Sequence, residues 1–163
     1  MKTESLFING VYESVLEEIL LVQHHLPEQI MFLQPYSSDP ITHLRDNCPS
    51  VDDPMHLFLS ITTDLPTVHY SAEIVGWDDK REISESKSNV LHRLIWTLQP
   101  NEGGLYNASL VGKPSANLLH IRRLKKLAST FSVTRLIKTS DNKPVSPERT
   151  TAGGWSYVNL LDE

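Results

Sequence analysis

Between His56 and Trp77 the chain reads HLFLSITTDLPTVHYSAEIVGW, two strand-like runs joined by a short connection. In the first, Leu57, Leu59 and Ile61 alternate with His56, Ser60 and Thr62, and only Phe58 falls off the two-residue period. In the second, Val68, Tyr70, Ala72 and Ile74 alternate with Thr67, His69, Ser71 and Glu73. Successive side chains of a strand point to opposite faces, so the pattern predicts two strands with one face buried. Thr63-Asp64-Leu65-Pro66 supplies the turn, because Asp bonds its own backbone and Pro is excluded from a central strand. The expectation is a β-hairpin at the centre of a sheet, around which the rest of the chain is arranged.

Upstream, Ser5 to Asn9 reads as a short strand closed by the turn pair Asn9-Gly10. Ser14-Val15-Leu16-Glu17 has the form of a capping box, and Tyr12, Val15, Ile19, Val22 and Leu26 fall on one stripe of the helix that would follow, with Pro27 ending it. Gln29 to Gln34 reads as a buried strand, and residues 35–55, rich in Pro, Asp and Asn, as irregular surface chain. Beyond the hairpin, Trp77 to Arg81 reads as a polar turn. Ser84 or Ser86 opens a helix whose Leu91, Leu94, Ile95 and Leu98 form an i, i+3, i+4, i+7 stripe. Strands are expected over Leu105–Val111, Val133–Thr139 and Trp155–Leu160. Asn117 to Ala128 fits a helix by its three-residue apolar steps, or a short strand running into a helical turn. These elements predict one α+β domain over residues 1–163: about six strands in a mixed sheet curled into a small barrel, flanked by two or three helices, an arrangement that covers the sheet edges.

A chain of 163 residues buries a core without staples, and its single cysteine, Cys48, excludes an internal disulfide. No Cys/His group has the spacing of a structural zinc site, and neither a metal nor a cofactor is expected. The N-terminal MKTESLFING lacks an apolar run long enough for a signal peptide. No stretch of roughly 18 apolar residues suits a membrane span, so the expectation is a cytoplasmic protein with no membrane partner. Net charge is −5, but it is unevenly spread: residues 1–100 hold 6 Lys/Arg and 15 Asp/Glu (−9), whereas residues 101–163 hold 9 and 5 (+4). From Lys113 to Arg149 only Asp141 and Glu148 are acidic. One basic face on an acidic chain is able to lie on phosphate; a merely solvated surface accounts for the same run.

Catalytic patterns are poor. Asp78, Asp79, Glu85 and Lys87 resemble the D…E-x-K set of metal-dependent nucleases, but that chemistry wants its acids on neighbouring strands, and here E-x-K falls at a helix start. Gly112-Lys113-Pro114-Ser115 lacks the glycine six residues before the lysine, where Asn107 stands, and is broken by proline, so it is no phosphate loop. Cys48 sits beside Pro49, which removes a backbone donor that would steady a thiolate. His24-His25 cannot serve one metal from a helix, since adjacent positions diverge; His69, on the polar face of the central strand, reads as structural or as a site residue. Tyr36, Trp77 and Trp155 each end a strand-like run, where a ring is free to stack on a nucleobase for about 1–3 kcal/mol or simply to close the core. Trp96 reads as helix packing.

The hairpin, with Val68-His69-Tyr70-Ser71-Ala72-Glu73-Ile74-Val75-Gly76, resembles the core of the PUA-like superfamily, above all its EVE, YTH and ASCH branches. Ile121-x-x-Leu124, Phe131, Val133-x-x-Leu136 and Gly153-Gly154-Trp155 are similar to the closing strands of such domains. The resemblance implies a non-enzymatic reader of nucleic acid, DNA ahead of RNA, whose barrel mouth accepts a flipped, modified base between aromatic rings. It implies the targeting module of a restriction or defence protein, fused to or associated with an effector such as a nuclease. The rings would come from Tyr12, Tyr36, Trp77, Trp155 and Tyr157, with Asn9 and Ser37 bonding a base edge. Arg122, Arg123, Lys125, Lys126, Lys138, Lys143 and Arg149 would grip phosphate without reading sequence, and their contacts and stacking would offset the few kcal/mol of flipping. Two rival readings remain: a protein-interaction or regulatory domain on the same fold, its acidic half facing a basic partner, and a small metal-dependent nuclease.

Overall fold

The computed structural model describes residues 2–34, 39–79, 81–99, 117–148 and 154–160. Tyr36, Ser37, Arg149 and the strand expected over Leu105–Val111 lie outside the described residues, as do the side chains of Glu85 and Trp96. Strands β1 (Ser5–Val11), β2 (Met31–Leu33), β3 (Met55–Ile61), β4 (Thr67–Asp78), β5 (Leu118–Ser132), β6 (Leu136–Lys138) and β7 (Gly154–Leu160) make one mixed sheet in the order β2-β5-β4-β3-β1-β7-β6. Helices α1 (Glu13–His25), α2 (Asp39–Asn47) and α3 (Glu85–Leu98) flank it.

The hairpin forms as expected: β3 and β4 pair antiparallel, Leu57 opposite Ala72 and Leu59 opposite Tyr70, at the middle of the sheet. Phe58 breaks the alternation because the sheet is buried on both faces. Met55, Leu57, Leu59 and Ile61 join a core with Val15, Leu16 and Ile19 of α1 and Ile41 and Leu44 of α2. On the other face, Phe58 packs with Phe7, Val68, Val133, Leu136, Val145 and Val158. Central strands covered on both sides carry apolar residues at successive positions. A third cluster sets Leu91 and Ile95 of α3 on Phe32 and Leu118.

No pairing among the described residues joins β2 to β6, so the sheet is open where a closed barrel was expected. Both edges are nevertheless occupied. The Gln99 side chain accepts from the Phe32 N–H (2.8 Å) and donates to the Phe32 carbonyl (2.7 Å), taking the place of a neighbouring strand beside β2. Outside β6, Lys138 N–H donates to the Lys143 carbonyl and Val145 N–H to the Leu136 carbonyl.

Five local expectations are corrected or resolved. Residues 39–47 form α2 and not irregular chain. Pro40 sits in the first turn, where its missing N–H costs nothing, and Cys48, with φ 46°, followed by Pro49, ends the helix. The capping box does not form, because α1 begins at Glu13 with Tyr12 as its unbonded N-cap, and the Glu13 carboxylate accepts from the Tyr70 hydroxyl at 2.8 Å. Asn9-Gly10 does not turn the chain: Gly10, at φ 75°, lies inside β1 at a break in register between Ile8 and Val11. The ambiguous stretch after Asn117 is strand β5, bulged against β4 at three places and with Arg123 at φ 55°, while Val133–Arg135 is a 3₁₀ turn leading into β6.

Candidate nucleic-acid interface

A cleft of about 890 Å³ opens where α2 meets strands β6 and β7. Trp155 and Tyr157 lie two residues apart on β7, and both line it. Their rings meet edge to face, with centroids 5.9 Å apart. His43, one helical turn into α2, covers the Tyr157 ring at 4.0 Å, and its Nε2 bonds the Glu4 carboxylate at 2.6 Å. The Tyr157 hydroxyl donates to the Pro40 carbonyl at 2.6 Å, tying β7 to the start of α2. Burial first, and the Glu4 charge second, push the Tyr157 phenol pKa above its ordinary value, so the hydroxyl is a fixed donor. Tyr157 is therefore a wall. Trp155, only partly buried against the main core, is the ring with area to offer. Lys138, Thr139 and Ser140 supply the lining where the chain leaves β6.

Of the other expected base-binding residues, the three that the structure describes are dispersed. Asn9 is fully buried on β1; its side-chain oxygen accepts from the Ser60 hydroxyl at 2.9 Å, and the same hydroxyl accepts from Gly10 N–H. Tyr12 is half-exposed at the start of α1 and does not line the cleft. Trp77 lies opposite Leu119 and packs against the main core, with β3 and β1 between its strand and β7.

The expected phosphate contacts fall into two groups. On β5, Arg122 is buried, with Nε 2.9 Å from Glu73 directly across the ladder and a second bond to the Val51 carbonyl. Arg123 pairs with Glu28 (3.4 Å) and Glu73 (3.5 Å), and Lys126 with Glu13 (3.7 Å). Only Lys125 of this group has no carboxylate partner among the described residues. Beside the cleft, Lys138 pairs with Asp141 at 3.0 Å, and the exposed Lys143 donates its backbone N–H to the same Asp141 carboxylate at 3.1 Å, while its Nζ forms no ion pair among the described residues.

Asp78 and Asp79, the two carboxylates of the nuclease-like set that the structure describes, hold cations. Asp78 bonds His120 Nε2 (2.5 Å) and Lys87 Nζ (2.7 Å). Burial alone would raise its pKa, but those two bonds outweigh it and hold the group below the ordinary value. Asp79 bonds Arg81 (2.7 Å) and Arg45 (2.8 Å), and the Arg81 contact leads in holding its pKa well down.

Glu4, Thr42, His43, Asp46, Thr139 and Ser140 escaped the sequence reading. The Trp155-x-Tyr157 spacing on one strand was the available signal, but His43 and Asp46 lay in a segment read as irregular.

No family model matches the chain, and no curated protein matches it. Among solved structures, the N-terminal domain of Staphylothermus marinus McrB is similar over 79% of this chain and 75% of that chain, at 8% identity and a TM-score of 0.38. A likeness so slight carries no argument. Among the described residues no helix is long and apolar enough to cross a membrane.

Proposed function

We propose that this protein is a nucleic-acid-binding domain that takes a single unstacked base into the cleft between α2 and strands β6 and β7. The observation that carries the reading is the meeting of Trp155, His43 and Lys138 around one cavity of about 890 Å³, within the range that suits a drug-sized ligand. Trp155 is the stacking plate, and Tyr157 with His43 forms the wall that fixes its tilt. Lys143 stands nearest to a phosphate backbone entering across β6, beside Lys138, whose charge Asp141 already answers, and Lys125 is a further, separate contact. The finer reading, a PUA-like reader of a flipped, modified base in DNA, serving an effector such as a nuclease in restriction or defence, rests on the resemblance of the hairpin.

The test is equilibrium binding of fluorescent single-stranded and bulged-duplex oligonucleotides, plain and base-modified, across a salt series. Affinity should fall steeply with salt. Trp155→Ala should weaken binding by about tenfold or more, the range of one base stack, with the unfolding midpoint as control. Lys143→Ala should lower the salt slope by about one contact. Salt-independent binding, or a Trp155→Ala variant that binds like wild type, would overturn the reading. A gain for the modified base separates a modification reader from a general one.

A further inference from the structure

The charges lining the cleft decide which part of a nucleotide enters it. Glu4 and Asp46 both line it beside Trp155. The Glu4 side chain is largely buried, and its Oε1 accepts from His43 Nε2 at 2.6 Å and from Asn47 Nδ2 at 3.5 Å. Oε2 has no partner among the described residues. Asp46 is exposed and unpaired among them. Lys138, the lysine of the lining, is already answered by Asp141 at 3.0 Å. A phosphate seated here would face two carboxylates and one neutralised cation. A base edge bearing N–H donors would meet acceptor-only groups, the arrangement by which Asp and Glu take up exocyclic amines.

We infer that the cleft selects a base carrying an exocyclic amino group, as cytosine, adenine and guanine do, over thymine or uracil. Glu4 and Asp46 are the residues that set this preference, and the phosphates remain at the rim with Lys143. Thymine and uracil have no exocyclic N–H and present O4 where cytosine presents N4–H, keeping only the ring N3–H as a donor; a carbonyl turned toward a carboxylate loses its water for nothing. The inference rests on the base-binding reading of the same cleft.

The experiment uses the whole chain and four hairpin duplexes that differ only in one bulged nucleotide: C, A, G or T. The amino bases should bind about tenfold more tightly than T, within the discrimination that good base-edge contacts give. Asp46→Asn and Glu4→Gln, whose amides also donate, should each shrink the ratio toward one, with unfolding midpoints recorded because Glu4→Gln also touches His43. Four bulges bound alike, with Trp155→Ala still defective, would overturn the inference and leave the base-binding reading standing. A preference unmoved by either carboxamide would equally overturn the assignment to Glu4 and Asp46. No binding to any bulge, or binding indifferent to Trp155→Ala, would remove both.

Discussion

At the scale of single residues, the end of β4 leaves little room for an added side chain. A Cβ added at Gly76 would stand 3.1 Å from His120 Nδ1. That ring cannot yield freely, being held by Asp78 at 2.5 Å and set edge-on to Phe32 at 5.3 Å. Overpacking costs about 1–3 kcal/mol, and restricting the unfolded chain returns about 0.4–1 kcal/mol. Gly76→Ala should therefore lose about 1 kcal/mol in urea unfolding, and the loss should vanish in a His120→Ala background, which removes the obstructing ring. Next to it, the buried Asp79 holds Arg81 and Arg45. Its pKa is depressed by the Arg81 side-chain bond foremost, against the opposing effect of burial, with the Arg81 backbone and Arg45 adding to it. Because the folded pKa lies below the unfolded value of about 3.9, the stabilisation is present above pH 4 and is lost as pH falls toward the folded pKa. Asp79→Ala should cost about 2 kcal/mol at neutral pH, the scale of hydrogen bonds to charged groups. A series of unfolding curves from pH 7 to 2 should show wild type and variant converging in acid; parallel curves would refute the linkage.

At the scale of elements, two glutamines bond backbone edges that no described strand covers. Gln99 bonds both backbone groups of Phe32, and Gln23 of α1 bonds both those of Leu124 at 2.8 and 2.9 Å. β2 has only three residues and one strand neighbour, so its outer edge depends on Gln99, a fully buried side chain. Gln99→Ala should leave Phe32 N–H and C=O unmatched at a cost of about 2 kcal/mol, and hydrogen exchange at the Phe32 amide should speed up more than at Leu57 in β3. Unchanged exchange at Phe32 would mean the edge does not rely on the side chain. Elements written as local periodicity were legible in advance. The β3–β4 hairpin and α3 with its Ser84 cap follow from alternation, apolar stripe and cap chemistry, which act over a few residues. Elements whose identity depends on neighbours were not. β5 has helix-like apolar steps, yet pairs with both β2 and β4, and that pairing outweighs its local preference. α2 was hidden by Pro40 in its first turn and Pro49 just past its end, which looked like loop chemistry.

For the molecule as a whole, charge is redistributed by folding. The acidic first part and the basic last part do not stay apart: Glu73, Glu28 and Glu13 lie against Arg122, Arg123 and Lys126 of β5. Removing Arg122, which also bonds the Val51 carbonyl, should therefore act on stability more than on binding. Arg122→Ala should lower the unfolding free energy by about 3 kcal/mol, the scale for breaking a buried ion pair, whereas Lys143→Ala should leave it within about 0.5 kcal/mol of wild type. The reverse order would show that the β5 cations face a ligand. By itself the sequence determined the α+β class, the central hairpin, the two long helices and the presence of a basic later segment, because residue alternation, cap chemistry and composition are properties of neighbours along the chain. Tertiary structure alone decided that no pairing among the described residues closes the sheet, that most of the β5 cations are answered by distant acids, and that Trp155 shares a cleft with His43 and Glu4 while Trp77 packs against the core, with β3 and β1 between its strand and β7. Those outcomes depend on contacts such as that between Tyr157 and Pro40, 117 residues apart, and no local pattern records which remote surfaces burial will bring together.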